Sequence, residues 1–171
     1  LSAWNLAMGS QELYDWLDAE PQLFHPGDLD YIHSVERISK FSNVISINGG
    51  VQLDLMGQEN AESTGTRQLS GIGGQMDFLE GAYRSKGGKG FICINSSRVT
   101  KDGERKSNIL ATIPGGSTIS APRTMIQYVA TEYGIASLSG KTLRERAEAM
   151  ASIAHPDFRE ELMKYARENF K

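Results

Sequence analysis

The sequence predicts an α/β domain with an open, largely parallel sheet and helices on both faces. Short apolar runs rich in β-branched residues alternate along the chain with segments in which apolar residues recur at helical spacing. Glycine pairs stand at the boundaries between these segments. The length of 171 residues, with 39% hydrophobic and 23% charged residues, is typical of one globular unit with a sizeable core. We therefore expect residues 1–171 to form a single domain.

The first third of the chain predicts strands and helices in alternation. Residues 1–10 are typical of a strand that enters a turn, and residues 11–18 of a short helix capped by a preceding serine. Residues 31–41 carry apolar side chains at helical spacing and predict a helix with one buried face. Residues 43–50 and 51–55 are rich in β-formers and predict two strands.

The alternation continues through the rest of the chain. The polar residues 57–65 predict a loop, and residues 71–97 predict a glycine-rich turn, a helix, a second glycine turn and a buried strand. Residues 108–114 and 126–134 predict two further strands, the second of them buried. Residues 142–171 are typical of two consecutive helices.

Two local signals place the starts of those last helices. Thr142 followed by Glu145 is a capping box, in which the side chain of each residue accepts a hydrogen bond from the backbone N–H of the other. Pro156 is suited to the first position of the final helix, because it has no N–H to leave unpaired there.

Charge and composition exclude several classes of protein. Lys and Arg number 18 against 21 Asp and Glu, for a net charge of −3, and no basic block suggests a nucleic-acid surface. No run approaches the roughly 20 apolar residues that span a bilayer, and the N-terminus has no secretory pattern. Cys93 has no partner for a disulfide and lies in an apolar run, which predicts a buried, inert thiol. We expect a cytoplasmic protein that binds neither nucleic acid nor membrane.

Glycine clusters are the first candidate for a ligand site. They fall at 49–50, 71–74, 87–90 and 115–116. A single pair is most simply a tight turn, but residues 71–75 lead into a helix whose N-terminus favours negative charge. Successive N–H groups there could form an anion site or an oxyanion hole. The spacings of nucleotide-binding glycine loops are not present, so a nucleotide fold is not supported.

The histidines do not predict a metal site. His25, His33 and His155 share no ligand spacing with Cys93 or with a compact acidic cluster. His33 lies near the start of its predicted helix and could donate a hydrogen bond to a carbonyl oxygen, although a capping or surface role is the alternative. His155 is expected to order the junction between the last two helices.

Four long strings resemble one enzyme family. INGGVQLDLMGQENAES, SGIGGQMDFLEGAYRSKGGKGFI, YVATEYGIASLSGKTLRERAEAM and IAHPDFREEL resemble, in this order, the C-terminal domain of the acetyl-CoA hydrolase/transferase family. The family includes 4-hydroxybutyrate, butyryl and succinyl CoA-transferases. The resemblance implies an open-sheet fold of the CoA-transferase and NagB/RpiA type, with the active site between two related domains.

The resemblance also implies a covalent mechanism. In such enzymes a glutamate attacks the acyl-CoA thioester, a glutamyl-CoA thioester forms, and an incoming carboxylate takes over the CoA. Gly74 is the expected oxyanion donor beside the thioester, with Gly73 and Gln75 shaping the turn. His33 stands where several relatives have an asparagine that polarises the thioester carbonyl.

Other positions of the resemblance suggest contacts with coenzyme A, which acts as a substrate; no metal is implied. Asn48, Gly50 and Val51 are similar to a CoA-contacting strand end, and Lys101 could face the phosphates or the pantetheine arm. No glutamate here matches the family's nucleophile, which is expected upstream of residue 1, in a chain cut from something longer. Glu80 is expected to be an ordinary solvated residue and Glu132 to support a strand end.

Three functions remain open from the sequence. The first is an acyl-CoA:carboxylate CoA-transferase, and the second is an acyl-CoA hydrolase in which water resolves the same intermediate. The third is a non-catalytic module for CoA binding or assembly. The expected partners are acyl-CoA, a small carboxylate and the protein's own N-terminal domain, and a homodimer is a further option. The chain on its own is expected to be inactive.

Overall fold

The computed structural model describes residues 2–4 and 7–170 of the chain. Its helices are α1 (Gln11–Ala19), α2 (Leu29–Ile32), α3 (Val35–Ile38), α4 (Gln75–Arg84), α5 (Leu143–Ser152) and α6 (Pro156–Asn169), with a 3₁₀ turn at Pro21–Leu23. Its strands are β1 (Ser2–Trp4), β2 (Phe24–Pro26), β3 (Ile45–Gly49), β4 (Gln52–Asp54), β5 (Glu59–Asn60), β6 (Ser63–Thr64), β7 (Arg67–Gln68), β8 (Lys89–Cys93), β9 (Ser97–Val99), β10 (Arg105–Ser107), β11 (Ile109–Leu110), β12 (Tyr128–Thr131) and β13 (Gly134–Ser137). The predicted first strand is present as β1, and the other parts of it at residues 1, 5 and 6 lie outside the described residues.

A four-stranded sheet in the order β13–β12–β8–β3 forms the centre of the fold. Strands β12, β8 and β3 are parallel, and β13 is antiparallel to β12 at the edge. A smaller sheet in the order β11–β4–β5 has one parallel and one antiparallel pairing. The α/β class with a largely parallel central sheet is therefore confirmed.

One face of the central sheet, the closed face, is covered by helices. Its side chains include Ile92, Val129 and Ala136, which are buried in one core cluster with Leu79 of α4 and Met150 of α5. The approach of α4 depends on a glycine in β8, because a Cβ at Gly90 would lie 2.9 Å from Leu79 Cδ2. The main hydrophobic core of the described residues thus lies on this side.

The opposite face of the same sheet, the open face, carries apolar side chains that the described residues leave uncovered. Ile47 on β3 is 68% exposed and Ile135 on β13 is 64% exposed. Between them, Phe91 and Tyr128 are half-buried and stack with their ring centroids 4.9 Å apart. The sequence predicts helices on both faces of the sheet. In the described chain, helices cover the closed face only.

The helix predicted over 31–41 is divided in two. His33 ends α2, and the Ser34 side chain accepts a hydrogen bond from Arg37 N, which starts α3 as a new helix. A serine side chain can compete with the helix backbone for hydrogen bonds in this way, and here its bond interrupts the helix. The break places His33 at a corner between two short helices.

The two C-terminal helices begin where the sequence predicts. The capping box of Thr142 and Glu145 is complete, and Pro156 occupies the start of α6. His155 caps α6, since its Nδ1 accepts a hydrogen bond from Asp157 N, so its expected role at this junction is confirmed.

Three further expectations were wrong. The loop predicted over 57–65 contains β5 and β6, and its Glu59 and Asn60 are fully buried. The single strand predicted over 126–134 is instead the hairpin of β12 and β13, because the chain turns at Glu132 and Tyr133 and reverses. Cys93 is exposed rather than buried, since it points to the open face at the end of β8.

Candidate functional site

A cleft of about 1040 Å³ lies where the carboxyl end of β3 meets the start of α4. Its walls come from the corner between α2 and α3, from the end of β3 and from the glycine turn, which we define as residues 71–74. The structure brings five of the predicted site residues to this cleft: His33, Asn48, Gly73, Gly74 and Gln75. The carboxyl ends of parallel strands are the usual place for a ligand in open α/β sheets.

The glycine turn presents the N-terminus of α4 to the cleft. Gly73 has a φ of +60°, a left-handed conformation that side-chain-bearing residues rarely adopt. Gly74 is the N-cap of α4 and provides no side chain to bind the free N–H groups of the first turn. These groups, in the positive field of the helix end, are therefore available to a negatively charged oxygen.

His33 lies directly against the glycine turn. A Cβ at Gly74 would overlap the imidazole ring, so only glycine allows the two residues this close. The ring is held by α4, with Nδ1 3.5 Å from Asp77 Oδ2 and the ring centroid 5.1 Å from that of Phe78. With Nδ1 turned to Asp77, Nε2 is the nitrogen left for a ligand, and it donates a hydrogen bond when both ring nitrogens carry a proton. The backbone of Gly74 and the side chain of His33 can thus act on the same oxygen.

A buried glutamate lies behind the glycine turn, and sequence reasoning missed it. Glu59 is fully buried, and the Gln75 side chain donates a hydrogen bond to its Oε2. Burial raises the pKa of the Glu59 carboxyl to about 8; the hydrogen bond from Gln75 opposes the rise and the charge of Glu62 adds to it. The carboxyl is therefore neutral at pH 7. Sequence reasoning missed Glu59 because a polar residue in a segment predicted as a loop is not expected to be buried.

Two more predicted site residues lie beside the cleft rather than on its wall. The Gly50 N–H donates to Cys93 O at 3.2 Å, and a Cβ at Gly50 would lie 2.7 Å from Glu59 Oε1. Val51 is half-buried, and its N–H donates to Asn60 O at 2.9 Å. Their predicted contacts with CoA stay predictions.

Lys101 lies apart from these residues. It is exposed in the turn between β9 and β10 and is not among the residues that line the cleft. A role toward the phosphates of CoA stays a prediction for this residue.

Neither of the two glutamates weighed in the sequence resembles a nucleophile. Glu80 forms an ion pair with Arg84 one turn along α4, as an ordinary helix-surface residue does. Glu132 accepts hydrogen bonds from Ser96 N at 2.9 Å and from Ser96 Oγ at 2.6 Å. Glu132 therefore ties the end of β12 to the segment after β8, which is the supporting role expected of it.

Neither a cluster of metal ligands nor a membrane-spanning helix is present among the described residues. Residues 2–4 and 7–170 contain no group of three or more His, Cys, Asp or Glu side chains arranged to hold a metal ion. Over the same residues, no helix combines the length and the apolar character that crossing a membrane requires.

Comparison with known proteins gives a consistent result. Residues 9–166 match the family described as "Acetyl-CoA hydrolase/transferase C-terminal domain". The chain is 45% identical over 160 residues to the butyryl-CoA:acetate CoA-transferase of Anaerostipes caccae. The match covers 94% of this chain and 36% of that relative. It is also 45% identical over 163 residues to the 4-hydroxybutyrate coenzyme A transferase of Clostridium kluyveri, over 95% of the chain and 37% of that relative.

A solved structure agrees with the sequence comparison. The crystal structure of RipA from Yersinia pestis superposes with a TM-score of 0.86 at 38% identity, over 98% of this chain and 37% of that one. The chain thus spans little more than a third of the length of these relatives. The family match over most of the chain, the identity to CoA-transferases and the shared fold lead to one conclusion: the chain belongs to the acetyl-CoA hydrolase/transferase family, and it matches the C-terminal domain of that family.

Proposed function

We propose that residues 1–171 are the C-terminal domain of an acyl-CoA:carboxylate CoA-transferase, whose thioester substrate enters the cleft beside the glycine turn. The observation that carries the proposal is the contact between Gly74 and His33 at the uncapped N-terminus of α4. It provides a backbone N–H and an imidazole at one point, which is what a thioester carbonyl needs as it becomes negatively charged. The similarity to named CoA-transferases supports the same reaction.

The proposed chemistry begins with a glutamate from another segment of the complete gene product. Its carboxylate attacks the thioester carbonyl, a C–O bond forms, and the C–S electron pair leaves with the CoA sulfur. The thiolate then attacks the glutamyl carbonyl, which gives the glutamyl-CoA thioester and releases the acyl group as a carboxylate. An incoming carboxylate repeats these steps in reverse order and leaves as its own CoA thioester.

The residues of this chain act on the oxygens in that sequence. Each attack turns a neutral carbonyl oxygen into an anion, and the first-turn N–H groups of α4 stabilise that anion more than they stabilise the carbonyl. His33, with both ring nitrogens protonated, donates from Nε2, while its contacts with Asp77 and Phe78 fix the ring. Asn48 lines the cleft at the end of β3, which supports the proposal that it contacts the bound CoA.

The same site suits a second candidate, an acyl-CoA hydrolase. The matched family description names both activities, and the two reactions differ only in whether water or a carboxylate resolves the intermediate. Assays of CoA release with and without acetate separate them. Release at the same rate without any carboxylate would favour the hydrolase and contradict the transferase.

The rest of the active site is proposed to come from the protein's own N-terminal domain. This chain spans 36% of a relative's length and exposes apolar side chains on the open face, which a second domain would bury. Light scattering of the chain alone and of the complete gene product tests this partner. A stable dimer of the chain alone, formed through the open face, would assign that face to a second copy instead.

The decisive experiment is transfer of CoA from butyryl-CoA to acetate by the complete gene product. We expect turnover there and none with residues 1–171 alone. Borohydride should trap a reduced glutamyl thioester during turnover. A folded product that binds CoA without turnover would instead indicate a non-catalytic module.

Two glycines of the same turn give a matched pair of variants. Gly74→Ala pushes a methyl group into the His33 ring, so we expect kcat/KM to fall about 100-fold. Gly71→Ala places its methyl group in open space and should change kcat/KM by less than about threefold. Equal effects of the two substitutions would remove the Gly74 contact from the mechanism.

A further inference from the structure

The Glu59 side chain touches two segments that meet at the cleft. Its Oε2 accepts a hydrogen bond from the side chain of Gln75, the first residue of α4. Its Oε1 lies against Gly50, just after β3, where even a methyl group would collide with it. One carboxyl group thus connects the start of the helix behind the glycine turn with the strand end on the other wall.

The surroundings of Glu59 are closed to solvent. Glu59 is fully buried, and its Oε1 has no hydrogen-bond partner among the described residues. Its backbone is fixed as well: the Glu59 N–H donates to Ala121 O at 3.0 Å, and its carbonyl accepts from Ser120 N at 2.8 Å. The side chain therefore has little freedom to leave this position.

No positive charge balances Glu59 within the described residues. Among them, no Lys, Arg or His forms a salt bridge with it, and Glu62, from the segment between β5 and β6, is the charged group that acts on it. The other neighbours are the neutral side chain of Gln75 on α4 and the backbone at Gly50. Such a site holds a neutral carboxyl group well and a carboxylate badly.

We infer that Glu59 is a positioning residue: its neutral carboxyl group holds the side chain of Gln75 and thereby fixes the glycine turn next to His33. The bond from Gln75 favours the ionised form, but loss of the proton also leaves an unbalanced charge that is closed to solvent, and the water that enters to hydrate it separates the start of α4 from Gly50. The glycine turn then loosens. The activity part of this inference depends on the proposed CoA-transferase function, whereas the structural part does not.

The first test uses activity. In the complete gene product, kcat/KM should fall with an alkaline midpoint near pH 8, where Glu59 ionises. Glu59→Gln keeps a hydrogen-bonding group of the same shape that cannot ionise, so its activity at pH 7 should stay within about threefold and the alkaline fall should disappear. Glu59→Leu removes the bond and should lower kcat about tenfold at every pH. Glu104→Gln, on an exposed turn, should match the unsubstituted protein.

The second test needs no activity. In the ¹⁵N-labelled protein, the amide resonance of Gly74 should move with pH and share the titration midpoint of the Glu59 carboxyl carbon; in Glu59→Gln it should be flat. A Gly74 resonance that does not follow Glu59, or an alkaline limb unchanged in Glu59→Gln, overturns the inference even if Glu59→Leu fails to fold. Absence of CoA transfer by the unsubstituted protein, with the Gly74 titration intact, overturns the proposed function and upholds the positioning role.

Discussion

The closed and open faces of the central sheet are made by alternate residues of the same strands. In β8, Ile92 points into the core on the closed face, while Phe91 and Cys93 on either side of it point to the open face. Both faces are apolar, yet only the closed face is packed by helices of the described chain. The difference shows that an apolar strand pattern specifies burial without specifying which part of a protein provides the cover.

The largest expected effect concerns the buried carboxyl group of Glu59. The pKa of Glu59 is raised from an ordinary 4.5 to about 8. The contribution of the neutral carboxyl group to the free energy of unfolding is therefore fully present below pH 4.5 and is lost as the pH rises to 8. At about 1.4 kcal/mol for each pH unit, this loss is at most roughly 5 kcal/mol. Glu59→Gln avoids it.

Urea unfolding of both proteins at pH 5, 7 and 9 measures this effect. The advantage of Glu59→Gln in free energy of unfolding should grow from pH 5 to pH 9. A constant difference between the two proteins would show that Glu59 is ionised in the folded state at neutral pH.

A substitution in the core of the closed face should have the next largest effect. Leu79 is fully buried beneath β8, so Leu79→Ala removes packed side-chain atoms and leaves a cavity. We expect the free energy of unfolding to fall by about 3 kcal/mol. Denaturant titration of residues 1–171 gives this value, and a loss below about 1 kcal/mol would mean that the closed face is loosely packed.

The same truncation on the open face should cost much less in the chain alone. Ile47 is 68% exposed, so Ile47→Ala should change the free energy of unfolding by at most about 0.5 kcal/mol. In the complete gene product the cost should rise to about 1.5 kcal/mol if the N-terminal domain covers this face. Equal costs in both proteins would contradict that covering.

The smallest effect is expected for a chemical probe of the open face. Cys93 is exposed there, so a thiol reagent should modify it rapidly in residues 1–171 with no loss of helical circular dichroism. Modification should be slower in the complete gene product. A slow reaction in the chain alone would mean that a second copy already covers the face.

Local rules accounted for much of the fold. The capping box at Thr142 and the proline at position 156 act within one helical turn, so the starts of α5 and α6 were predictable. The break between α2 and α3 was missed because Ser34 fits a helix surface and a helix cap equally well. The hairpin at β12 and β13 was missed because its turn interrupts an apolar run without a strong turn sequence.

The candidate site divides in the same way. The glycine turn could be found from the sequence, because glycine before a helix has a local consequence for the backbone. The contact between Gly74 and His33 joins residues 41 positions apart and depends on how α3 packs against α4. Glu59 gave no signal at all, since its burial depends on β3, α4 and the segment near Ala121 meeting around it.

The sequence by itself determined the α/β class, the starts of α5 and α6, the glycine turn and the resemblance to the acetyl-CoA hydrolase/transferase family. These depend on local backbone preferences or on strings of residues that can be compared directly. Only the tertiary structure decided that the described residues leave the open face uncovered, that His33 meets Gly74 and that Glu59 is neutral. Burial and pKa follow from which distant residues exclude water from a side chain, and that requires the packed molecule.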